Sequence, residues 1–281
     1  ELSPMVVSDG APQHFTRATI CGPQNVRKYR FIDIMNPMIS PALDRPDTVT
    51  SEFMRYLISL EAEPGTRLPP INALAGKLGI SSGKLREQLE VARELGLIEV
   101  RPKTGIRVRG YSFFPTLRAS LRLALALDAS YFDQFSELRN QIEASFWHSA
   151  VALLEDSDKQ DLRQLMDRAW AKLEGEPIQI PHPEHRQLHL TIYSRLENAF
   201  VLGLLEAYWD AYETIGLNLY EDYTYLREVW SYHGRMVDAI LQGDTEAGHR
   251  ALVEHTGLLR SRQSPQLFPN GPRPRRARRQ S

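Results

Sequence analysis

The sequence predicts a mainly α-helical protein, with an N-terminal winged helix-turn-helix followed by an antiparallel all-helical bundle. Three observations predict it. Residues 49–110 show three helical patterns and then two β-prone runs around a Pro/Gly turn. Residues 116–262 keep helical periodicity almost without a break, and no β-run competes with it. Charge divides at the same place: residues 49–110 hold ten basic and seven acidic side chains, net +3, whereas residues 111–262 hold fourteen and twenty-three, net −9. One part can approach a polyanion and the other would be repelled by it.

The elements follow in order. Residues 1–48 are rich in Pro and small polar residues around one apolar island, Phe31 to Met35, and read as an extended N-terminal extension without an assigned role. Ser51 to Leu60 places Phe53, Met54, Leu57 and Leu60 on one helical face. Glu63-Pro64-Gly65-Thr66 is a turn. A short helix over 71–78 breaks at Gly79-Ile80-Ser81, and Ser81 or Ser82 caps a helix over 83–95 that Gly96 ends. Leu97–Val100 and Ile106–Arg109 form a hairpin around Arg101-Pro102-Lys103-Thr104-Gly105. The bundle reads as helices over 116–127, 130–154, 157–174, 183–195, 198–220, 224–242 and 244–262. The Arg-rich stretch 263–281, net +5, cannot bury a core and reads as a disordered basic tail.

A chain of 281 residues suggests two domains of ~100–200 residues each, or one large one, and 42% hydrophobic with 25% charged side chains is ordinary for a globular protein. No apolar run approaches the ~18 residues of a membrane span, and the first 20 residues lack a secretory pattern. The single Cys21 excludes an internal disulfide framework and a multi-Cys zinc module. These points lead us to expect a cytoplasmic protein with no membrane partner.

A helix-turn-helix presents the start of its second helix to the DNA major groove. Here that start is Ser81-Ser82-Gly83-Lys84-Leu85-Arg86, where short side chains allow close approach and Lys84 and Arg86 supply charge. In the hairpin, Arg101, Lys103 and Arg107 add positive charge, and Gly105 permits a tight tip near a phosphate or the minor groove. The same layout can instead serve a protein contact, with these charges solvated.

These residues resemble a known family. Leu68-Pro69-Pro70-Ile71-Asn72-Ala73-Leu74-Ala75, Leu78-Gly79-Ile80-Ser81, Leu85-Arg86-Glu87-Gln88-Leu89, Gly96-Leu97-Ile98 and Gly105-Ile106-Arg107-Val108 are similar to the GntR family of bacterial transcription regulators. Operator binding is what the resemblance implies. The chain departs where the family usually carries DNA-contacting arginines, holding Asn72 and Ser82 instead, while Arg86 matches. Losing two guanidiniums weakens phosphate anchoring and alters base preference; Lys84 compensates in part.

Four histidines define a second candidate site. His185 and His189 are four apart and share a helix face. His233 lies on a later helix and His255 on the last, so three helices can bring four imidazoles to one point. Imidazole suits zinc, nickel, copper or iron. The alternative is a set of surface or satisfied core histidines. His249 is excluded by rotation, because six residues before His255 is about 600°.

Here the resemblance extends to the FCD-type ligand-binding domain of one GntR subfamily. It rests on His185 to Asn198 with Leu188-His189 and Ile192, on His233, Ala239-Ile240, Gly243-Asp244, Ala247 and His255, and on Arg139 with Ile142-Glu143. Metal-binding members use one Asp and three His. Carried over, His189, His233 and His255 match, and His185 occupies the Asp position. Glu184 is adjacent but rotated by about 100°. Replacing carboxylate by imidazole leaves the dication uncompensated and favours a borderline metal, zinc first with nickel as the alternative. Such a site attracts an anion, and the resemblance implies a small carboxylate effector. Arg139 is a candidate bidentate partner, or else an i,i+4 partner of Glu143. Asn198 either binds the effector or caps its helix. Tyr193 is a candidate cavity-lining residue, with Tyr212 and Trp230.

The function expected is a homodimeric, ligand-responsive transcription regulator, a repressor by resemblance, binding a palindromic double-stranded operator. Two other classes use the same four-His site. A metal-dependent hydrolase would activate water, but four protein ligands leave less room than three, and no glutamate has convincing general-base spacing. A metal-ion sensor would treat the ion itself as the signal. We therefore expect no enzymatic activity.

Overall fold

In the computed structural model of the chain, the described residues are 51–101, 103, 105–215 and 222–262, the last four by backbone alone. The N-terminal extension expected over 1–48 and the basic tail expected over 263–281 lie outside them. The expected architecture is present: a winged helix-turn-helix with its own small core, followed by an all-helical domain with a larger one.

The winged part is built by local signals. α1 (Glu52–Ser59) begins where the Ser51 hydroxyl accepts from the Met54 amide at 3.3 Å. α2 (Ile71–Leu78) follows Pro70 and stops at Gly79, whose φ of +65° is the left-handed conformation glycine adopts without strain. α3 (Ser82–Glu94) is capped by Ser81, whose Oγ accepts from the Lys84 amide at 3.1 Å. Phe53, Leu74, Leu85, Leu89, Ile98 and Ile106 then meet in one cluster. β1 (Ile98–Arg101) and β2 (Gly105–Val108) pair antiparallel, with Ile98 opposite Val108 and Arg101 opposite Gly105. Each strand therefore lies one residue nearer the tip than its expected span. Gly105 enters the ladder at φ +80° and Lys103 takes a left-handed φ of +70°, so the reversal needs fewer residues than Pro102 and Gly105 suggested.

The helical domain comprises α4 (Phe114–Leu127), α5 (Tyr131–Val151), α6 (Asp156–Leu173), α7 (His182–Tyr193), α8 (Ala199–Thr214), α9 (Tyr223–Gln242) and α10 (Thr245–Arg262). The helix expected over 198–220 ends at Thr214, and residues 216–221 lie outside the described ones. α9 and α10 form a helical hairpin around Gly243 at φ +75°, and Asp244 caps α10 by accepting from the Ala247 amide at 2.9 Å. α8 packs on α4, α6 on α7 and α9, and α10 on α5. Trp147, Trp209 and Trp230 are fully buried among them. These packings bring α5, α7, α9 and α10 around one interior point.

The connection between the two cores is tightly seated. Phe200 at the start of α8 packs edge-on against Phe113 and Tyr111, with centroids 5.3 and 6.0 Å away. A Cβ on Gly203 would lie 2.6 Å from the Phe114 amide nitrogen and 2.8 Å from the Phe113 Cβ. Backbone cannot yield as a flexible side chain can, so Gly203→Ala is expected to destabilise by about 1–3 kcal/mol. Urea unfolding measures this; an unchanged midpoint would show that the segment 111–114 is not held against α8.

Candidate functional site

The four histidines converge. His185 and His189 come from α7, His233 from α9 and His255 from α10, and each offers a nitrogen within 4.8 Å of those of the others. His189, His233 and His255 are fully buried, and His185 is partly accessible. His189 Nε2 and His233 Nε2 stand 3.1 Å apart. Trp209 closes the cluster at 4.6 Å from His185, and Trp230 at 4.9 Å from His233, centroid to centroid. The helical rise explains the first pair, since positions four apart stack on one face. The other two depend on how α9 and α10 pack against α7.

The donor set fits a metal ion. His185 Nε2, His233 Nδ1 and both nitrogens of His255 are buried without a hydrogen-bond partner, and a buried polar atom left unpaired costs about 1–3 kcal/mol. Burial, reinforced by the neighbouring imidazoles and Arg139, holds His185, His233 and His255 well below the usual histidine range. Burial also lowers His189, while Glu143 opposes the fall. The imidazoles are thus neutral near pH 7, as metal ligation requires. A tetrahedral set with metal–nitrogen bonds of about 2.0–2.1 Å has its nitrogens roughly 3.3 Å apart. The 3.1 Å pair meets that spacing, while the 4.8 Å limit leaves room for the set to contract or to admit a further ligand.

Around the imidazoles lies a buried charge pair that the spacing only partly revealed. Arg139 and Glu143 on α5 are ion-paired at 2.9 Å and have 1% and 0% of their side chains exposed. His189 Nδ1 lies 3.2 Å from Glu143 Oε1 and 2.9 Å from Arg139 Nη2. Burial pushes the Glu143 carboxyl up, but Arg139 and His189 together outweigh it and hold it below its ordinary value. The guanidinium also lies 4.6 Å from the Tyr208 ring centroid and 5.7 Å from that of Trp209. The i,i+4 spacing showed the Arg139–Glu143 pair. No local signal showed that the pair would sit against His189, 46 and 50 residues away.

The structure gives two of the three expected effector residues other partners. Asn198 Oδ1 accepts from the Phe200 and Val201 amides, both at 3.1 Å, and so caps α8. The Tyr193 hydroxyl donates to the Glu143 carbonyl at 2.8 Å, and burial raises it well above the usual phenol range. Arg139 differs, because its Nε is buried without a partner. Of the remaining histidines, His249 Nε2 donates to the Ala144 carbonyl, His148 faces Glu246, and His182 stacks on Tyr212.

In the winged part, the expected DNA-contacting residues fall into two groups. Several are engaged locally. Ser81 caps α3; Ser82 Oγ is 3.2 Å from Asn72 Oδ1; Lys84 Nζ is 2.6 Å from Glu52 Oε1; Arg101 pairs with Glu99 at 3.0 Å; and Arg107 donates to the Gly65 carbonyl at 2.8 Å. Glu52 also accepts from Gln88, which ties α1 to α3, and Lys84 above all lowers its pKa to about 2. Arg86 and Lys103 are exposed and have no ion-pair partner among the described residues. Gly105 lies beside the Arg67 guanidinium, whose Nε would be 3.4 Å from an added Cβ.

A winged helix joined to an all-helical part with converging imidazoles is the arrangement expected of a ligand-responsive DNA-binding regulator. Residues 47–108 match the model of the bacterial regulatory proteins of the gntR family, and residues 134–258 match the FCD domain. The chain belongs to the GntR family and carries an FCD domain. It is 25% identical over 221 residues, covering 76% of this chain and 84% of the relative, to a "Putative L-lactate dehydrogenase operon regulatory protein" of Escherichia coli K12. It is equally identical over 224 residues, 78% of this chain and 86% of the relative, to the "Uxu operon transcriptional regulator" of the same organism. Among solved structures, a Streptococcus agalactiae GntR protein superposes with a TM-score of 0.56 at 20% identity, covering 74% of this chain and 95% of that one, and shares the fold. The chain is a transcription regulator of this family. No helix among the described residues is long and apolar enough to cross a membrane.

Proposed function

We propose that this chain is a homodimeric regulator, acting in the bacterial cytoplasm, whose affinity for a palindromic operator is set by a small carboxylate bound at a metal-centred site. One observation carries the reading: four neutral imidazoles, three of them fully buried and three with orphaned nitrogens, converge beside Arg139. His185, His189, His233 and His255 would hold zinc, or nickel in its place. The ion would supply an uncompensated positive charge there, since Glu143 is already neutralised by Arg139. Arg139 Nε is a buried protein donor available to an anion, and Trp209 Nε1 is another. Repression relieved by the effector is the sign we assign. Metal analysis of purified protein with and without His189→Ala tests the site: stoichiometric metal lost in the variant supports it, and equal metal content overturns it.

Ser81, Ser82, Lys84, Arg86, Arg101, Lys103, Gly105 and Arg107 form the operator-facing surface. Within it, Arg86 and Lys103 carry the exposed charge that no partner neutralises. Arg86→Ala is expected to weaken operator binding and to lower the salt slope by about 1. Lys84→Ala should do less, because Glu52 already compensates that ammonium. Mobility shifts with the chain's own upstream DNA over a salt series measure both, and equal losses would reassign Lys84 as a primary phosphate contact.

The metal-ion sensor is retained as a second reading, because four protein ligands close much of the coordination sphere. Zinc titration of operator affinity without any organic acid separates the two.

A further inference from the structure

Resting on the metal-centred reading above, we infer that Arg139 and Glu143 compete for one nitrogen of His189, so that metal entry releases an arginine donor for the anionic effector. A neutral imidazole carries one N–H, which sits on Nδ1 or on Nε2. His189 Nδ1 faces a different candidate partner in each arrangement. With the proton on Nε2, Nδ1 accepts from Arg139 Nη2 at 2.9 Å and Nε2 donates to His233 Nε2 at 3.1 Å. With the proton on Nδ1, that nitrogen faces Glu143 Oε1, a buried oxygen 3.2 Å away that otherwise has no hydrogen bond, and the Nε2 lone pair is free.

A metal ion selects between them. Ligation through Nε2 needs its lone pair, so the proton must stand on Nδ1, where Glu143 accepts it. The proton count of His189 does not change: one N–H is lost at Nε2 and one gained at Nδ1. Nδ1–H can no longer accept from Arg139. Nη2 stays ion-paired with Glu143 Oε2 at 2.9 Å, and its N–H toward His189 loses its acceptor. Arg139 Nε is already without a partner, and the guanidinium is 1% exposed, so water does not satisfy it. Nε and Nη2 lie along one edge of the guanidinium, the fork that takes a carboxylate bidentately. Glu143 is thus a positioning residue for the metal, and Arg139 holds the metal-free state. By reciprocity, a carboxylate on that edge tightens metal binding by the factor by which metal tightens the carboxylate.

The test is nitrogen-resolved NMR on the full chain with 15N-labelled histidine and arginine, His189 being assigned by comparison with His189→Gln. In chelator-treated protein, His189 is expected to carry its proton on Nε2; at zinc saturation, on Nδ1. Acetate is expected to shift the Arg139 Nε–H resonance in the zinc-loaded protein and to leave it in place in the metal-free one. The same His189 tautomer in both states, or the same acetate response, overturns the competition while leaving the metal site standing. Zinc that perturbs none of the four histidines overturns the metal-centred reading itself. Glu143→Gln is expected to lower zinc affinity about 10–100-fold, whereas Glu184→Gln, whose carboxylate pairs with Lys172 at 2.7 Å, leaves it unchanged. Wild-type affinity in Glu143→Gln removes the positioning role. The wild-type spectra decide the matter even if that variant does not fold.

Discussion

Glu143→Leu is expected to destabilise the metal-free protein by about 3–5 kcal/mol, because it leaves the Arg139 charge buried without a counter-charge. Arg139 is 1% exposed and cannot reach solvent without disturbing the packing of Tyr208 and Trp209 around it. Arg139→Met should cost as much for the mirror reason, since the Glu143 carboxylate is 0% exposed. The double replacement removes both charges and leaves apolar side chains of similar volume, at the cost of the Arg139 hydrogen bonds to His189 Nδ1 and Asn140 Oδ1. It is expected to recover most of the loss, since a buried pair repays its own desolvation only when its geometry is excellent. Urea unfolding of the four proteins, with chelator present, gives the coupling directly. Single losses that simply add in the double variant would show that the two side chains stabilise independently.

The second large effect is on acid stability. His233 and His255 are fully buried, and their pKa values lie well below that of an unfolded histidine, about 6.5. Their neutral forms therefore favour the folded state. That contribution is complete above pH 6.5 and is lost as pH falls from 6.5 toward the folded values, because the unfolded chain takes up protons that the folded one refuses. Each imidazole should cost the metal-free protein about 1.4 kcal/mol per pH unit in that window. Glu143, whose pKa is lowered, adds a loss in the same direction but only below the ordinary carboxylate range. Zinc at about 1,000 times its dissociation constant should add about 4 kcal/mol near pH 7, and acid should remove that gain as the ligands are protonated. Thermal unfolding from pH 7.5 to 5, with zinc or with chelator, measures both. Stability that is flat between pH 6.5 and 5.5 in the metal-free protein would mean that these imidazoles are not buried neutral.

Local chemistry made much of this molecule legible. Ser51 and Ser81 announce helix starts, Gly79 and Gly243 announce helix ends, and apolar periodicity marks which faces turn inward. The His185–His189 pair and the Arg139–Glu143 pair are helix arithmetic, since any helix over those positions puts each pair on one face. The hairpin was displaced by one residue per strand because its tip depends on left-handed backbone at Lys103, which a lysine does not advertise. Asn198 and Tyr193 had two plausible uses each as isolated residues. The packing gave Asn198 to the end of α8 and Tyr193 to the α5 backbone.

By itself, then, the sequence determined the order of the elements, the division into a basic winged part and an acidic helical part, and which imidazoles could share a helix face. Only the tertiary structure decided that α5 lays its buried ion pair against His189, that α9 and α10 complete the ring of nitrogens, and that Glu52 on α1 takes up the charge of Lys84. The physical reason is one of range. Helix periodicity and capping are set within a few neighbouring residues, whereas meetings between residues 30 to 70 positions apart depend on how whole helices pack around the two apolar cores, the one at Phe53, Leu74 and Leu85 and the one at Trp147, Trp209 and Trp230.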